Sequence, residues 1–304
     1  MAALSTPRIM LTVLVALLPG AAALIGFFGF GYVPRLVFAT GVGLALEALL
    51  LNLQNRPVAP ALRDGSTVVT CTLLTLALPP GVGFGALAVA VVAAVGLGKH
   101  LYGGLGANPF NPAVVGYTVA LVSFPGELAA WPAATDGMTG ATALTTLRYR
   151  EGQTVAEIWS AAQGFGGLGG YGWEWANAAF LGGGIMLMAL RIAAWRVPVA
   201  LLGTLGVLAA LGYDSGSSQS LGSPVFHWLS GGTCLAACFF ATDPVTHPVT
   251  ARGQVLFGCI VGAVAYAVRG FGNYPDGLAF GILLANGATP YLDRLLVMEA
   301  PDHV

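Results

Sequence analysis

From Ile9 onward the chain is a succession of long apolar runs, separated by short clusters of glycine, proline and arginine. The first, "MLTVLVALLPGAAALIGFFGFGYV", carries no charge at all. A helix needs about 20 consecutive apolar residues to cross the hydrocarbon of a bilayer. Marking such runs predicts ten membrane helices, at roughly 9–33, 36–53, 65–84, 85–100, 110–126, 175–193, 197–213, 225–243, 253–269 and 275–293. The fourth and fifth are short and interrupted by glycine and proline, which predicts broken or re-entrant helices. The longest polar stretch lies between the fifth and sixth runs and contains "DGMTGAT" at residues 136–142. The predicted fold class is therefore an all-α polytopic membrane protein.

Composition agrees with the pattern. Of 304 residues, 56% are hydrophobic and 8% charged, against about 25% charged in a soluble domain. Too few polar residues exist to cover a water-facing surface, so the chain belongs in lipid. A formal net charge of −1 gives no electrostatic reason to expect nucleic acid or an acidic substrate. The first apolar run is too long for the core of a secretion signal, so no cleaved leader is expected. The cysteines, Cys71, Cys234, Cys238 and Cys259, all lie in apolar runs without a C-x-x-C pair, and histidine is sparse. No zinc or iron–sulfur site is expected within this chain alone.

Basic residues set the orientation, because cytoplasmic loops carry the excess of lysine and arginine. With the N-terminus inside, Arg8, Arg56, Arg63, Lys99, Arg191, Arg196, Arg252 and Arg294 all fall on the cytoplasmic side. Arg35 and Arg269 fall in short outer loops, and Arg148 and Arg150 in the long outer loop. Both termini are then cytoplasmic, and "DGMTGAT" faces outward.

Ten helices divide into two sets of five. Thr70-Cys71 recurs as Thr233-Cys234, and Pro112 and Pro275 each begin a late helix of their half. Five helices per half turn the second copy over, giving an inverted repeat with sites expected at the repeat interface. The expected organisation is a first repeat over 1–126, an outer loop over 127–174 and a second repeat over 175–304. Unwound backbone at membrane depth must line a cavity or be buried in protein, so the interrupted segments are where chemistry is sought.

Four of those positions are candidates for an ion path. In "KHLYGGLGANPFNPAVVGY", Asn108 or Asn111 could cap a helix beginning near Pro112. A helix start also offers free N–H groups to an anion or a ring carbonyl; the alternative is a re-entrant turn with a purely structural duty. Glu47 lies inside the second run, where an acid is a functional candidate by default or else a buried hydrogen-bonded residue. No partner for it is visible in the sequence. Asp243 ends the eighth run, as an ion-path residue or as a solvated carboxylate beside Arg252. Asp276 reads as a first-turn acid on a helix dipole.

In "DGMTGAT", Gly137 and Gly140 permit an exposed turn, and the Thr139 and Thr142 hydroxyls sit among small residues. Composition alone reads this as a plain outer loop. An unhindered hydroxyl in a turn also suits enzymatic esterification, although spacing cannot name the attached group.

Together "TPRIMLTVLVALLPG", "YGGLGANPFNPAVVGY", "LSGG", "FFATDPVT", "RGQVLFG" and "GFGNYPDGLAFGILLAN" resemble the RnfD family, the D component of the Rnf electron-transport complex, called Rsx in some bacteria. More distantly they resemble NqrB, the B component of the sodium-pumping NADH:quinone reductase. The resemblance covers nearly the whole chain. The start almost directly at the first helix favours the Rnf branch.

This resemblance implies covalent FMN, joined by a phosphodiester to the final threonine of an S/T-G-A-T segment. Here that is Thr142 within Thr139-Gly140-Ala141-Thr142, with Asp136 fitting the pattern read by a flavin transferase that installs FMN from FAD. It also raises a second, noncovalent flavin, riboflavin, near the membrane core. It implies the A, B, C, E and G components of the Rnf complex as partners, electron flow between ferredoxin and NAD coupled to Na⁺ or H⁺, and a bacterial inner membrane with the flavin loop periplasmic. No catalysis is expected of the chain alone. One departure from the pattern is an outer segment over 125–135 that is shorter than in many relatives. The glycines of "GFGGLGGYG" (164–172) lack a preceding strand, so NAD itself is not expected on this chain. The competing readings are a urea-channel-like solute transporter and a scaffold protein with a vacant hydroxyl loop.

Overall fold

The computed structural model describes residues 5–132, 139–161, 164–274 and 276–298. These are mostly helical, and the only paired strands among them are two residues long, β1 (Trp131–Pro132) against β2 (Thr139–Gly140). In chain order the helices begin with α1 (Thr6–Phe28), α2 (Tyr32–Leu53), α3 (Val58–Leu62) and α4 (Ser66–Ala77). Then come α5 (Phe84–Val92), which continues as a π-helical segment Ala93–His100, α6 (Pro112–Ser123) and α7 (Pro125–Ala129). The polar region holds α8 (Ala143–Arg148) and α9 (Val155–Ala161). The remainder is α10 (Trp173–Ala189), α11 (Arg196–Leu211), α12 (Pro224–Trp228), α13 (Thr233–Leu235) running into a π segment Ala236–Phe240, α14 (Ala251–Phe271) and α15 (Leu278–Met298).

Among the described residues three helices, α1, α2 and α14, are long and apolar enough to cross a membrane. The 23 residues of α1 rise about 34 Å at 1.5 Å each. By contrast α4 and α6 have 12 residues apiece, or about 18 Å, short of a core of about 30 Å. The run at 65–84 is therefore cut where Pro79-Pro80 leave no N–H to continue the helix. The run at 110–126 starts late because Gly103, Gly104 and Gly106 all take positive φ before it. The run at 225–243 is split between α12 and α13, with Gly231 at φ 61° in the gap.

Lipid gives no hydrophobic drive between apolar helices, so close backbone approach at small residues does the packing. Gly258 and Gly262 of α14 lie on α11 so tightly that an added Cβ would come 2.6 Å from the Val197 carbonyl oxygen and 2.5 Å from that of Leu201. Helix α1 packs on α10, α2 on α4 and α5, α14 on α15, and α6 on α15.

Side-chain bonds sort the connections into two ends. At one end Arg35 donates to Val82, Glu127 accepts from the Gly83 N–H, Arg148 donates to Gly272 and Tyr149 to Asn273. At the other Arg56 donates to Gly103, and Asp293 accepts from the Val249 N–H. The polar region is more than a loop: Ala143, Leu144, Leu147 and Ile158 form a small core with Phe226 of α12. Helix α9 opens with a reciprocal cap in which the Thr154 N–H donates to Glu157 at 2.7 Å and the Glu157 N–H returns a bond to the Thr154 hydroxyl at 3.2 Å. The Thr154 bonds hold the Glu157 carboxyl below the usual range.

Gly262→Leu is expected to separate α11 from α14 and to cost about 1–3 kcal/mol, the usual range for overpacking, read as a lowered thermal midpoint in detergent. Gly203→Ala, where an added Cβ meets nothing within 4 Å, should not lower the midpoint, since alanine is the better helix former.

Candidate functional site

Thr142 is the N-cap of α8, with φ −70° and ψ 160°. Its hydroxyl accepts from the Thr145 N–H at 3.3 Å and shares a 3.0 Å bond with the Thr145 hydroxyl. The residue is half-buried, while Gly140 and Ala141 before it are exposed. Thr142 and Thr145 border a cavity of about 350 Å³ that reaches past Tyr117, Trp131 and Trp173 to the helix interruption at Gly231 and Gly232. Its aromatic wall is braced: Trp131 and Trp173 meet edge to face at 4.8 Å, and Phe28 packs on Trp173 at 4.9 Å. The size and lining are those of a small-molecule site. Thr139 contributes backbone to β2. Asp136 lies outside the described residues, as does Pro275.

A second cavity, of about 110 Å³, opens on the opposite side of the α6 start and is bordered by Asn108, Asn111, Asp243, Ser66 and Lys99. Asn111 caps α6, its side-chain oxygen accepting from the N–H groups of Ala113 (3.0 Å) and Val114 (3.2 Å). Its amide donates to the Phe240 carbonyl at 3.1 Å and meets Asp243 Oδ2 at 3.4 Å. Its own N–H donates to Asn286 Oδ1 at 3.1 Å. Asn108 donates to the Phe110 carbonyl. Asp243 is half-buried and accepts from the Val245 N–H. Three of the four ion-path candidates thus meet at one place, with Asn111 as the joint.

Glu47 stands one step away. Its partner, invisible in the sequence, is Lys99, which is buried and therefore no loop charge. Arg269 is likewise no outer-loop residue. It is 5% exposed and donates to Thr233 Oγ1 at 2.8 Å, to the His227 carbonyl at 2.9 Å and to Asp276 at 3.2 Å. Asp276 also accepts from the Leu278 N–H, but it stands two residues before α15 rather than in its first turn, and its main bond is to Arg269. Both basic residues end an apolar run, where charge usually meets water, and so their place in the chain points to loops that they do not occupy. Asn177, which the sequence pattern does not single out, is buried and pins the α12–α13 break, donating to Gly231 (2.7 Å) and accepting from the Cys234 N–H (2.7 Å). A lone amide inside an apolar run is its available signal.

The two cavities come back to back. The smaller one ends on Ala113 and Phe239, and the other on Val114 and Phe240. This apolar septum separates them. Among the described residues no group of three or more histidine, cysteine or carboxylate side chains could hold a metal ion.

Compared with known proteins, the sequence matches the model of the NQR2, RnfD, RnfE family over residues 1–300. The chain belongs to that family. Relatives within the NQR2, RnfD, RnfE family include a Pseudomonas paraeruginosa protein, 44% identical over 309 residues that cover 95% of this chain and 90% of its own length. An Escherichia fergusonii protein is 40% identical over 324 residues, covering 95% and 92%. One from Aeromonas salmonicida is 40% identical over 326 residues, covering 95% and 93%. All three are named as the D component of an ion-translocating oxidoreductase complex.

Asn111→Ala should cost about 2 kcal/mol. The lost helix cap contributes about 1, and the Phe240 carbonyl left without its donor about 1 more. The readout is the thermal midpoint; Asn111→Asp keeps the cap but turns an acceptor toward the Phe240 carbonyl and Asp243, so it should not recover the loss.

Proposed function

We propose that this chain is the membrane-embedded D component of an Rnf-type ion-translocating oxidoreductase complex, with FMN held as a phosphodiester on Thr142. The observation that carries the reading is the position of the Thr142 hydroxyl on the rim of the aromatic cavity, in a chain 40–44% identical to proteins named for that component. The residues present fit the group. An exposed approach through Gly140 and Ala141 leaves the hydroxyl open to a flavin transferase, with Asp136 and Thr139 as the residues it would read. The Trp131–Trp173 wall offers a planar ring an apolar face. Bound flavin would supply the electron-transfer chemistry. The protein's own part is to anchor, orient and keep water from the cavity floor with the Val114–Phe240 septum.

Ten spans in two inverted five-helix repeats, divided as 1–126, 127–174 and 175–304, are part of this proposal. The neighbour pattern supports it. Helix α2 packs on α5 as α11 does on α14, and α5 on α6 as α14 does on α15. Lys99 bonds Thr67 near the start of α4 just as Arg269 bonds Thr233 at the start of α13. By this measure the counterpart of Thr233 is Thr67 rather than Thr70. The charge count still favours cytoplasmic termini and a periplasmic flavin loop in a bacterial inner membrane, because Arg8, Arg56, Arg63, Arg191, Arg196, Arg252 and Arg294 lie toward the inner end even with Lys99 set aside.

The inner cavity with Asn108, Asn111 and Asp243 is the proposed mouth of a Na⁺ or H⁺ path, while Glu47 behind it is tied to Lys99. The A, B, C, E and G components of the Rnf complex are the proposed partners in electron relay. Riboflavin, if this chain takes a second flavin, would use the same deep apolar region near Gly231. The opposed cavities also favour a second reading, a solute transporter of inverted-repeat type.

Intact mass separates these. Material from a host with a working transferase should carry the added mass of one FMN and fluoresce in a denaturing gel. Thr142→Val should abolish both signals, whereas Thr139→Val should retain part of them. Bare mass in the wild type, with uptake of a neutral solute into proteoliposomes, would instead favour the transporter.

A further inference from the structure

Lys99 lies near the end of the π-helical segment with its side chain enclosed in protein, 2% exposed. Its ammonium donates to Glu47 Oε1 at 2.5 Å, to Ser66 Oγ at 2.7 Å and to Thr67 Oγ1 at 2.8 Å. An ammonium has three protons and no acceptor capacity, so these three oxygens satisfy it completely. They come from two different elements, the middle of α2 and the first turn of α4. The second carboxylate oxygen, Glu47 Oε2, is buried and has no hydrogen-bond partner. The small inner cavity reaches Ser66 and Lys99 from the side.

With the ammonium set aside, what surrounds this point is a cage of one carboxylate and two hydroxyls, with room for water on the cavity side and the buried His100 Nε2 3.4 Å from Glu47 Oε1. Hard cations prefer such oxygen ligands. A single carboxylate balances one positive charge, which suits a monovalent ion better than a divalent one. An unpaired charge so deep in the protein would be costly, so the carboxylate favours a cation in the cage over standing alone, with a proton on Glu47 or His100 as the competing way to balance it. We propose that Lys99 is a tethered cation occupying a Na⁺-type oxygen site built by Glu47, Ser66 and Thr67, and that the site takes Na⁺ only when this ammonium is removed. Glu47 is then closed to passing ions while Lys99 is in place. The cage has the same composition whether or not Thr142 carries a flavin.

The test is thermal unfolding of the purified full-length chain in NaCl against choline chloride at equal ionic strength. The wild type should not distinguish the two salts. Lys99→Ala should show a saturable rise in midpoint with NaCl, and Lys99→Ala/Glu47→Gln should lose it. Lys99→Met refills the space without charge and should also be indifferent to Na⁺. Three results would overturn the proposal. One is a saturable Na⁺ response in the wild type that Glu47→Gln removes. Another is a folded Lys99→Ala protein blind to Na⁺. The third is a Lys99→Ala protein that cannot be recovered folded even in NaCl, since Na⁺ should replace the missing charge.

Discussion

Inside a bilayer no water is present to complete a broken helix, so each free backbone group at depth must find a partner in the protein. The fold depends on how three buried amides meet that demand. Asn111 caps α6 and also binds the Phe240 carbonyl at the end of the second π segment. Asn286, in the middle of α15, accepts the Asn111 N–H and donates to the Thr246 carbonyl. Asn177 closes the break between α12 and α13 from both sides. Amides serve here because they donate and accept without carrying charge, so their hydrogen bonds offset the cost of burying them.

Short helices secured in this way create the cavities. Because α4 and α6 stop well short of a full crossing, space is left beyond their ends, and the α12–α13 break opens the floor of the cavity beside Thr142. Continuous helices of about 20 residues would fill both volumes. The septum between the cavities is thin, made of successive residues on α6 and on the second π segment. Opposite faces of the same few residues therefore border a chamber of small-molecule size and a small polar one, without joining their solvent spaces.

Charge is distributed under the same constraint. Among the described residues one lysine and one arginine are deeply buried, Lys99 toward one end and Arg269 toward the other, each held by a threonine and a carboxylate. Neither is a surface ion pair of the kind that contributes little. Removing either carboxylate would strand a cation in a low-dielectric setting, which is why each basic group is enclosed by acceptors from more than one helix.

The sequence by itself determined that the chain is a helical membrane protein, where its apolar runs lie, that Thr142 lies in a polar glycine-rich segment, and that Asn108 or Asn111 could cap a helix near Pro112. Those properties follow from hydropathy and from the local chemistry of glycine, proline and asparagine, which act over a few residues. It also carried the family, through motifs spread from Thr6 to Asn286. Tertiary structure alone decided the partner of Glu47, 52 positions away, and the burial of Lys99 and Arg269, whose places in the chain point to loops. It also decided that Asn111 answers to Asn286, 175 positions on. Pairings of that kind depend on which helix faces press together, and in lipid that choice rests on close fit at glycines such as Gly258 and Gly262 rather than on any pattern of polarity along the chain.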